Sequence, residues 1–434
     1  MTALMEQVLE KAKARGATDV AVSVSYDTGF SVDVRVREVE TVSFHEDKGV
    51  SLVVYFGHRK GSASSTDTSR DAIASAVNAA CDIALVSSED PCFGLADREL
   101  MTKNHPNLDL YHPWQIEPSE AINQALQCEE YALQKDKRIT NSDGVNVSTA
   151  NFHHGYANTH GCFGFLRGSM HSISCSLIAE NASGMQRDYD YTVSRVANQL
   201  TPLDQLAVRA VDRTVSRLDA RKLPTMRVPV IFSSRVSSGL IGSFMGAISG
   251  SNLYRKNSFL LDSLGKVVFP EWVNIYERPH LLGALGSAPF DSEGVPTRDN
   301  QFVEQGRVAQ YVLGSYSARR LGLQTSANAD GAHNLTVEPN AGDLNDLIKK
   351  MQRGLIITEL MGQGVNGLTG DYSRGASGFW VEDGAIQYPV EEFTVAGNLK
   401  DMLLGICAIG NDRNPNISTR CGSILIDSMM IGGV

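Results

Sequence analysis

Few residues of this 434-residue chain stand at spacings that could do chemistry, and each such set lacks a member. His153, His154 and His160 lie close together in sequence and could begin a metal site. Five residues separate the last two on a hairpin pattern, so polar side chains on the wet face of a sheet are the plainer reading. His45-Glu46 has no second histidine at a useful spacing, His58 stands at a strand end, and His333 in GAHN is a loop residue with a weak claim on substrate. Asp291 and Glu293 form a carboxylate pair. On one strand they would share a face as like charges with no acid or base partner, which favours a structural role such as holding the turn at Gly294. No nucleophile elbow and no Walker sequence is present.

Glycine is densest from Met361 to Trp380, MGQGVNGLTGDYSRGASGFW. Gly362, Gly364 and Gly367 satisfy G-x-G-x-x-G, and Leu355 to Leu360 before them reads as a strand. Gly370 and Gly375 interrupt any following helix, so no helix N-terminus is on offer to a pyrophosphate. The run reads instead as a loop between strands where another chain segment passes close to the backbone. Asp371, Tyr372 and Arg374, followed by Gly375, would supply polar contacts to peptide or partner.

The elements that must position these residues are legible from periodicity. MTALMEQVLEKAKARG reads as an amphipathic helix with Leu4, Val8 and Ala12 on one face. Asp19 to Tyr26, Phe30 to Phe44 and Gly49 to Phe56 alternate with period two, predicting an antiparallel sheet with one wet face. Ile73, Ala76, Val77, Ala80 and Ala84 then mark a helix. After a polar, proline-containing passage from Ser87 to Pro118 the order repeats loosely: a helix from Ser119 to Gln134, strands from Arg138 to Arg195, and a helix from Leu203 to Leu218. ARKLPTMRVPVIF, Ala220 to Phe232, has the prolines and compositional shift of a domain junction. The expected class is α+β. An N-terminal two-layer sheet-and-helix domain spans 1–220, read as a degenerate duplication of units at about 1–110 and 111–220, and a strand-rich, barrel-like domain spans 221–434.

A net charge of -10 argues against a nucleic-acid binder. No apolar run is long enough to span a bilayer. Seven cysteines without a C-x-x-C pair, and no signal peptide ahead of them, suit a reducing cytoplasm.

Several long motifs in one order carry a family resemblance. YRKNSFLLDSLGK (254–266), PFDSEGV (289–295), SYSARRLGL (315–323), TELMGQGVNGLTGDYSRGASGFWVE (358–382) and AGNLKDM (396–402) resemble the PmbA (TldE) branch of the TldD/PmbA metallopeptidase family, once called "modulator of DNA gyrase". KGSASSTD (60–67), DKRITNSDG (136–144) and RDYDYT (187–192) extend the likeness along the chain. In the TldD branch a helix carries H-E-x-x-x-H, which binds zinc and supplies the general base. A gapless count over Ser237 to Gly250, SSGLIGSFMGAISG, places Ile241, Gly242 and Gly246 at those positions, and none can bind a metal or move a proton. Gly239, Gly242, Gly246 and Gly250 would share a helix face suited to tight packing or to a peptide backbone. Cys421 lies where the TldD branch has a cysteine ligand, and without the histidines it reads as a small buried residue.

The resemblance therefore implies a subunit with no catalytic residue, metal or cofactor of its own, dependent on a zinc-bearing TldD-type subunit. Such a chain would bind unfolded peptide, with Asp371, Tyr372, Arg374, Gly375, Gly246, Asp291 and Glu293 as contacts to peptide or partner, and could form a homodimer when alone. An autonomous homo-oligomeric peptidase and a non-enzymatic regulator are the competing readings.

Overall fold

The computed structural model describes residues 1–102 and 104–433. The N-terminal half runs twice through helix, three strands, helix: α1 (Thr2–Ala14), β1 (Asp19–Arg35), β2 (Glu38–Phe56), β3 (Arg59–Ser65) and α2 (Arg70–Val86), then α3 (Pro118–Lys135), β4 (Ile139–Asn158), β5 (Phe163–Asn181), β6 (Gly184–Ser194) and α4 (Leu203–Ser216). All strands belong to one antiparallel sheet, ordered β3-β2-β1-β4-β5-β6. The two units join where β1 pairs with β4, from Ala21 opposite Asn158 to Val34 opposite Val145.

Each helix pair covers its own half of one sheet face, because the apolar alternation of the strands points that way. Met5, Val8, Ile73 and Ala80 close over Val20, Val22 and Val54. Ala121, Ala125, Leu206 and Ala210 close over Val32, Val34, Ile173 and Leu177. The alanines let the helices approach closely, and each buried Leu or Ile contributes about 1.5 to 3 kcal/mol. Ser69 caps α2 by accepting from the Ala72 N–H, and Pro118 opens α3 at a position where no N–H is needed.

One expected boundary is corrected. The three segments expected at Asp19–Tyr26, Phe30–Phe44 and Gly49–Phe56 are two long strands, β1 and β2, joined by a turn at Val36 and Arg37, both with positive φ. Neither is a turn-forming type. The turn is held from a distance: the buried Glu129 carboxylate on α3 accepts the Val36 and Arg37 N–H groups at 2.9 and 2.6 Å. A charge-assisted contact 92 residues away outweighs local propensity, so periodicity alone could not place the turn.

The C-terminal half comprises β7 (Met226–Phe232), α5 (Ser237–Ala247), α6 (Gly250–Tyr254), β8 (Ile275–Glu277), β9 (Asn300–Glu304), β10 (Arg307–Val308), α7 (Ser315–Leu321), β11 (Leu335–Val337), α8 (Leu344–Met351), β12 (Gly354–Met361), β13 (Asp371–Glu382), β14 (Ala385–Asn398), α9 (Leu399–Leu404), β15 (Ile406–Ile409) and β16 (Ile424–Gly432). Strands run β14-β13-β12-β7-β16, and a further β14–β16 pairing closes them into a five-stranded barrel, with β15 added outside β16. Closure leaves these five strands without open edges along their shared length. Phe232, Ala376, Phe393, Val395 and Ile426 share one core with Leu240, Ile241 and Phe244 of α5. Outside, α8 lays Leu347, Ile348 and Met351 against Ile231, Ile356 and Leu425.

Charge joins the two halves. Asp188 and Asp190 of the RDYDYT stretch are buried on β6. Asp188 takes both arms of Arg235 at 2.8 and 3.2 Å and stands 3.5 Å from Arg217, which also reaches Glu359 on β12 at 2.6 Å. Asp190 is held by Arg209 and Arg213 of α4. Elsewhere Arg319 of α7 donates to the carbonyls of Cys92, Gly94 and Leu95, anchoring the polar passage after α2.

Candidate peptide- and partner-binding site

Helix α5 carries no His, Cys, Asp or Glu. Its buried side is Leu240, Ile241, Phe244 and Ala247, so the glycines are left on the other. Of the two roles the spacing allowed, tight packing or room for a peptide backbone, the structure does not show the first at three of the four glycines: a Cβ built on Gly239, Gly242 or Gly246 meets no atom within 4 Å. Only Gly250, beyond the helix, is packed closely, against Ser317 and Leu313. The apolar side faces the core, and among the described residues nothing packs against a Cβ position at Gly239, Gly242 or Gly246. Gly242 to Ala is therefore expected to stabilise the chain by about 0.5 to 1 kcal/mol, the ordinary penalty of glycine inside an exposed helix. An unchanged or lowered melting temperature in the variant would contradict the open face.

At the N-terminal end of α5 this face borders a groove of about 330 Å³ lined by Ser238, Gly239, Tyr189, Thr358, Leu360 and Arg374. Arg374 is only lightly engaged. Its Nη2 donates to the Leu360 carbonyl at 3.5 Å, and its Nε is buried without a partner. Neighbouring Glu359 is committed to Arg217 and to Ser377. The groove thus presents an under-used guanidinium beside bare helix backbone, an arrangement that can receive a carboxylate and an extended chain.

The other residues of the glycine run separate by face. Residues 362–370 form the loop of a β12–β13 hairpin, exposed at 362–363 and 366–369 and followed by strand and not helix, so the phosphate-binding reading fails. Close approach does occur within the loop, since a Cβ on Gly364 would overlap the Ser373 carbonyl. Asp371 is exposed and held by Thr369 and Asn398, whose hydrogen bonds keep its carboxyl below the usual range. Tyr372 points into the barrel, 3% exposed and edge-on to Phe232 at 6.2 Å. That corrects its assignment as a polar contact, because strand alternation sends it to the core while Asp371 faces out. Gly375 makes an ordinary contact with Met361.

Asp291 and Glu293 lie in a turn, not along a strand. Asp291 Oδ1 accepts the Glu293 and Val295 N–H groups and Oδ2 that of Ala329. Glu293 accepts the Ser315 N–H at the start of α7 at 2.7 Å. Their hydrogen bonds are structural ones. Asp291 also lines a cavity of about 750 Å³ between the bare face of the N-terminal sheet and the 288–292 segment. Ser23, Ser25, Ser51 and Ser64 floor it, with Asp67 and Asp330 at its wall. Serines at alternate strand positions were the sequence signal for this cleft, hidden in what reads as a plain wet face. Burial, reinforced by Glu293, pushes the Asp291 carboxyl up to about 6 despite its N–H bonds. A raised carboxyl favours the folded state most at low pH, and that contribution is lost as pH rises from about 4 through 6. A carboxyl-carbon titration should show a signal with midpoint near 6 that Asp291→Asn removes; a midpoint near 4 would refute it.

The histidines do not converge. His154 contacts Asp27 and His160 contacts Asp19, on different parts of β1. His333 does lie in a loop, where it is buried beside Asp330. Cys421 is buried and its thiol donates to the Gly422 carbonyl, and burial pushes that thiol up. The donor set around α5 therefore does not fit zinc, and among the described residues no group of three or more His, Cys, Asp or Glu side chains could hold a metal.

Two helix-and-sheet units sharing one antiparallel sheet, followed by a small closed barrel, define an α+β protein of two parts. The descriptions PmbA/TldA metallopeptidase domain 1, central domain and C-terminal domain match residues 20–84, 111–218 and 225–433. The chain belongs to the PmbA/TldD metallopeptidase family. It is 49% identical to Metalloprotease PmbA of Escherichia coli O157:H7 over 97% of this chain and 94% of the relative. The Metalloprotease PmbA homolog of Haemophilus influenzae is 46% identical over 98% and 94%. A crystal structure from Bacteroides thetaiotaomicron, assigned as a modulator of DNA gyrase, superposes with TM-score 0.94 at 26% identity, covering 100% of this chain and 99% of that one. TldE from Thermococcus kodakarensis shares the fold, with TM-score 0.83 at 20% identity over 99% and 100%.

Proposed function

We propose that this chain is the non-catalytic subunit of a hetero-oligomeric metallopeptidase that processes unfolded peptides, its zinc and general base coming from a TldD-type partner. The observation that carries the reading is α5. This helix offers no donor, yet it keeps an open glycine face beside Arg374. A glycine stripe costs stability at every position, so an exposed one is best explained by something that must come close to the backbone. Peptide recognition through main-chain bonds, as in strand addition, would give the broad specificity that processing requires. No helix among the described residues is long and apolar enough to cross a membrane, which suits an aqueous partner.

The test is reconstitution. Alone, the purified chain should cleave no unfolded peptide and hold no stoichiometric zinc by elemental analysis. Mixed with a TldD-type chain it should co-elute and raise cleavage. Chelator-sensitive cleavage by the chain alone, with contaminating peptidases excluded, would establish an autonomous enzyme instead.

A further inference from the structure

Where the end of β6 meets the 413–420 segment between β15 and β16 lies a cavity of about 390 Å³, separate from the groove beside α5. Asn416 pins that segment to β6: its side chain accepts the Val193 N–H and donates to the Tyr191 carbonyl, each at 2.9 Å. Three arginines line the cavity, Arg195, Arg413 and Arg420, and among the described residues no Asp or Glu does. In a chain of net charge -10, this concentration of positive charge runs against the balance of the whole molecule.

Arg195 is 4% exposed, and its guanidinium donates only to the carbonyls of Ala284, Leu285 and Ser169. Buried charges are ordinarily paired. Burial alone acts on Arg195 and pushes it down, whereas carboxylates oppose the burial of Arg213 and Arg235. The neighbouring carboxylates are committed elsewhere. Asp188 and Asp190 hold Arg209, Arg213, Arg217 and Arg235, and Asp412 accepts the Ser423 N–H and hydroxyl. Neither Arg413 nor Arg420 takes part in any of these pairs.

We propose that this cavity binds a small phosphate ester with a hydroxylated body, its phosphate taken by Arg413 and Arg420 and its charge balancing Arg195. Three guanidinium forks with no acid among them suit a dianion with several free oxygens better than a carboxylate, which one arginine satisfies. Gln199 and Ser418 offer an amide and a hydroxyl to the body of the ligand, and no aromatic ring lines the cavity for a nucleobase to stack on. Its walls come from β6 and from the 283–285 and 413–420 segments, so the ligand bridges the two halves and stabilises their junction. The site belongs to the chain alone and stands apart from the proposed hetero-oligomer, so either can fail without the other.

Isothermal titration of the isolated chain, in buffer free of phosphate and sulfate, tests it. Ribose 5-phosphate and glycerol 3-phosphate should bind and raise the melting temperature, ribose and glycerol should do neither, and inorganic phosphate should compete. Arg413→Gln or Arg420→Gln should weaken binding about tenfold, and the double variant should abolish it with unchanged circular dichroism. Lys137→Gln removes the same charge outside the cavity and should change nothing. Binding of neither phosphate ester, binding unaltered in the double variant, or equal weakening by Lys137→Gln would each overturn the proposal. Binding of an acetylated, amidated glutamate peptide in place of the esters would overturn it in favour of an acidic peptide.

Discussion

Replacing Asp188 with Ala is expected to lower folding stability by roughly 3 to 5 kcal/mol, the loss typical of a buried ion network stripped of one partner. The Asp188 side chain is 5% exposed, and the arginines facing it, Arg217 and Arg235, are 16% and 22% exposed. The loss therefore leaves two little-hydrated cations side by side. Because Arg235 leads into α5 and Arg217 closes α4, the two halves should also lose cooperativity, and a calorimetric transition should broaden or split. Asp188→Ala/Arg235→Met should recover part of the loss by removing a stranded charge. The sign with pH follows from the same contacts. Burial pushes the Asp188 carboxyl up, but Arg235, the Tyr189 N–H and Arg217 more than offset this and hold it below the usual range. Its contribution is therefore complete above about pH 4 and lost as pH falls through the lowered value. Wild type should show a steeper acid arm than the variant. A loss under about 1 kcal/mol would mean that solvent already screens the network.

The second large effect is expected on activity with stability unchanged. In the reconstituted hetero-oligomer, Arg374→Ala should lower peptide cleavage or assembly tenfold or more, because a charge-assisted bond to a carboxylate is worth about 1.5 to 3 kcal/mol. Gly242→Trp should do the same by filling the space above α5. Neither change should lower the melting temperature of the isolated chain, since Gly242 faces nothing and Arg374 makes one long hydrogen bond. Amidating the peptide's C-terminus and neutralising its acidic residues, one at a time, would show which carboxylate Arg374 meets. Full activity and normal assembly in both variants would remove the groove from the function.

Much of the architecture was legible from local pattern. Period-two and period-3.6 alternation is imposed by which side chains must leave water, so the order of helices and strands in the N-terminal half, the strand-rich, barrel-like second half and the core face of α2 could be read directly, while the α1 face was read without the buried Met5. Family motifs carried the membership, and the identities of Ile241, Gly242 and Gly246 showed that α5 brings no donors. What local pattern could not carry was which faces remain uncovered. The turn at Val36–Arg37 depends on Glu129, far away in sequence, and the openness of the α5 glycines depends on no later segment returning over them. Tyr372 and Asp371 were both read as polar contacts, yet as neighbours on β13 they face opposite sides, and the barrel decides that the Tyr372 side is the buried one. Likewise nothing in the RDYDYT stretch marks Asp188 and Asp190 as buried; α4 and Arg235 converge on them only in the fold. Composition and periodicity thus determined the elements and their inner faces, because hydration acts residue by residue. Contacts between distant segments decided which polar groups are buried, paired or left open, because only packing sets the local dielectric and the available partners.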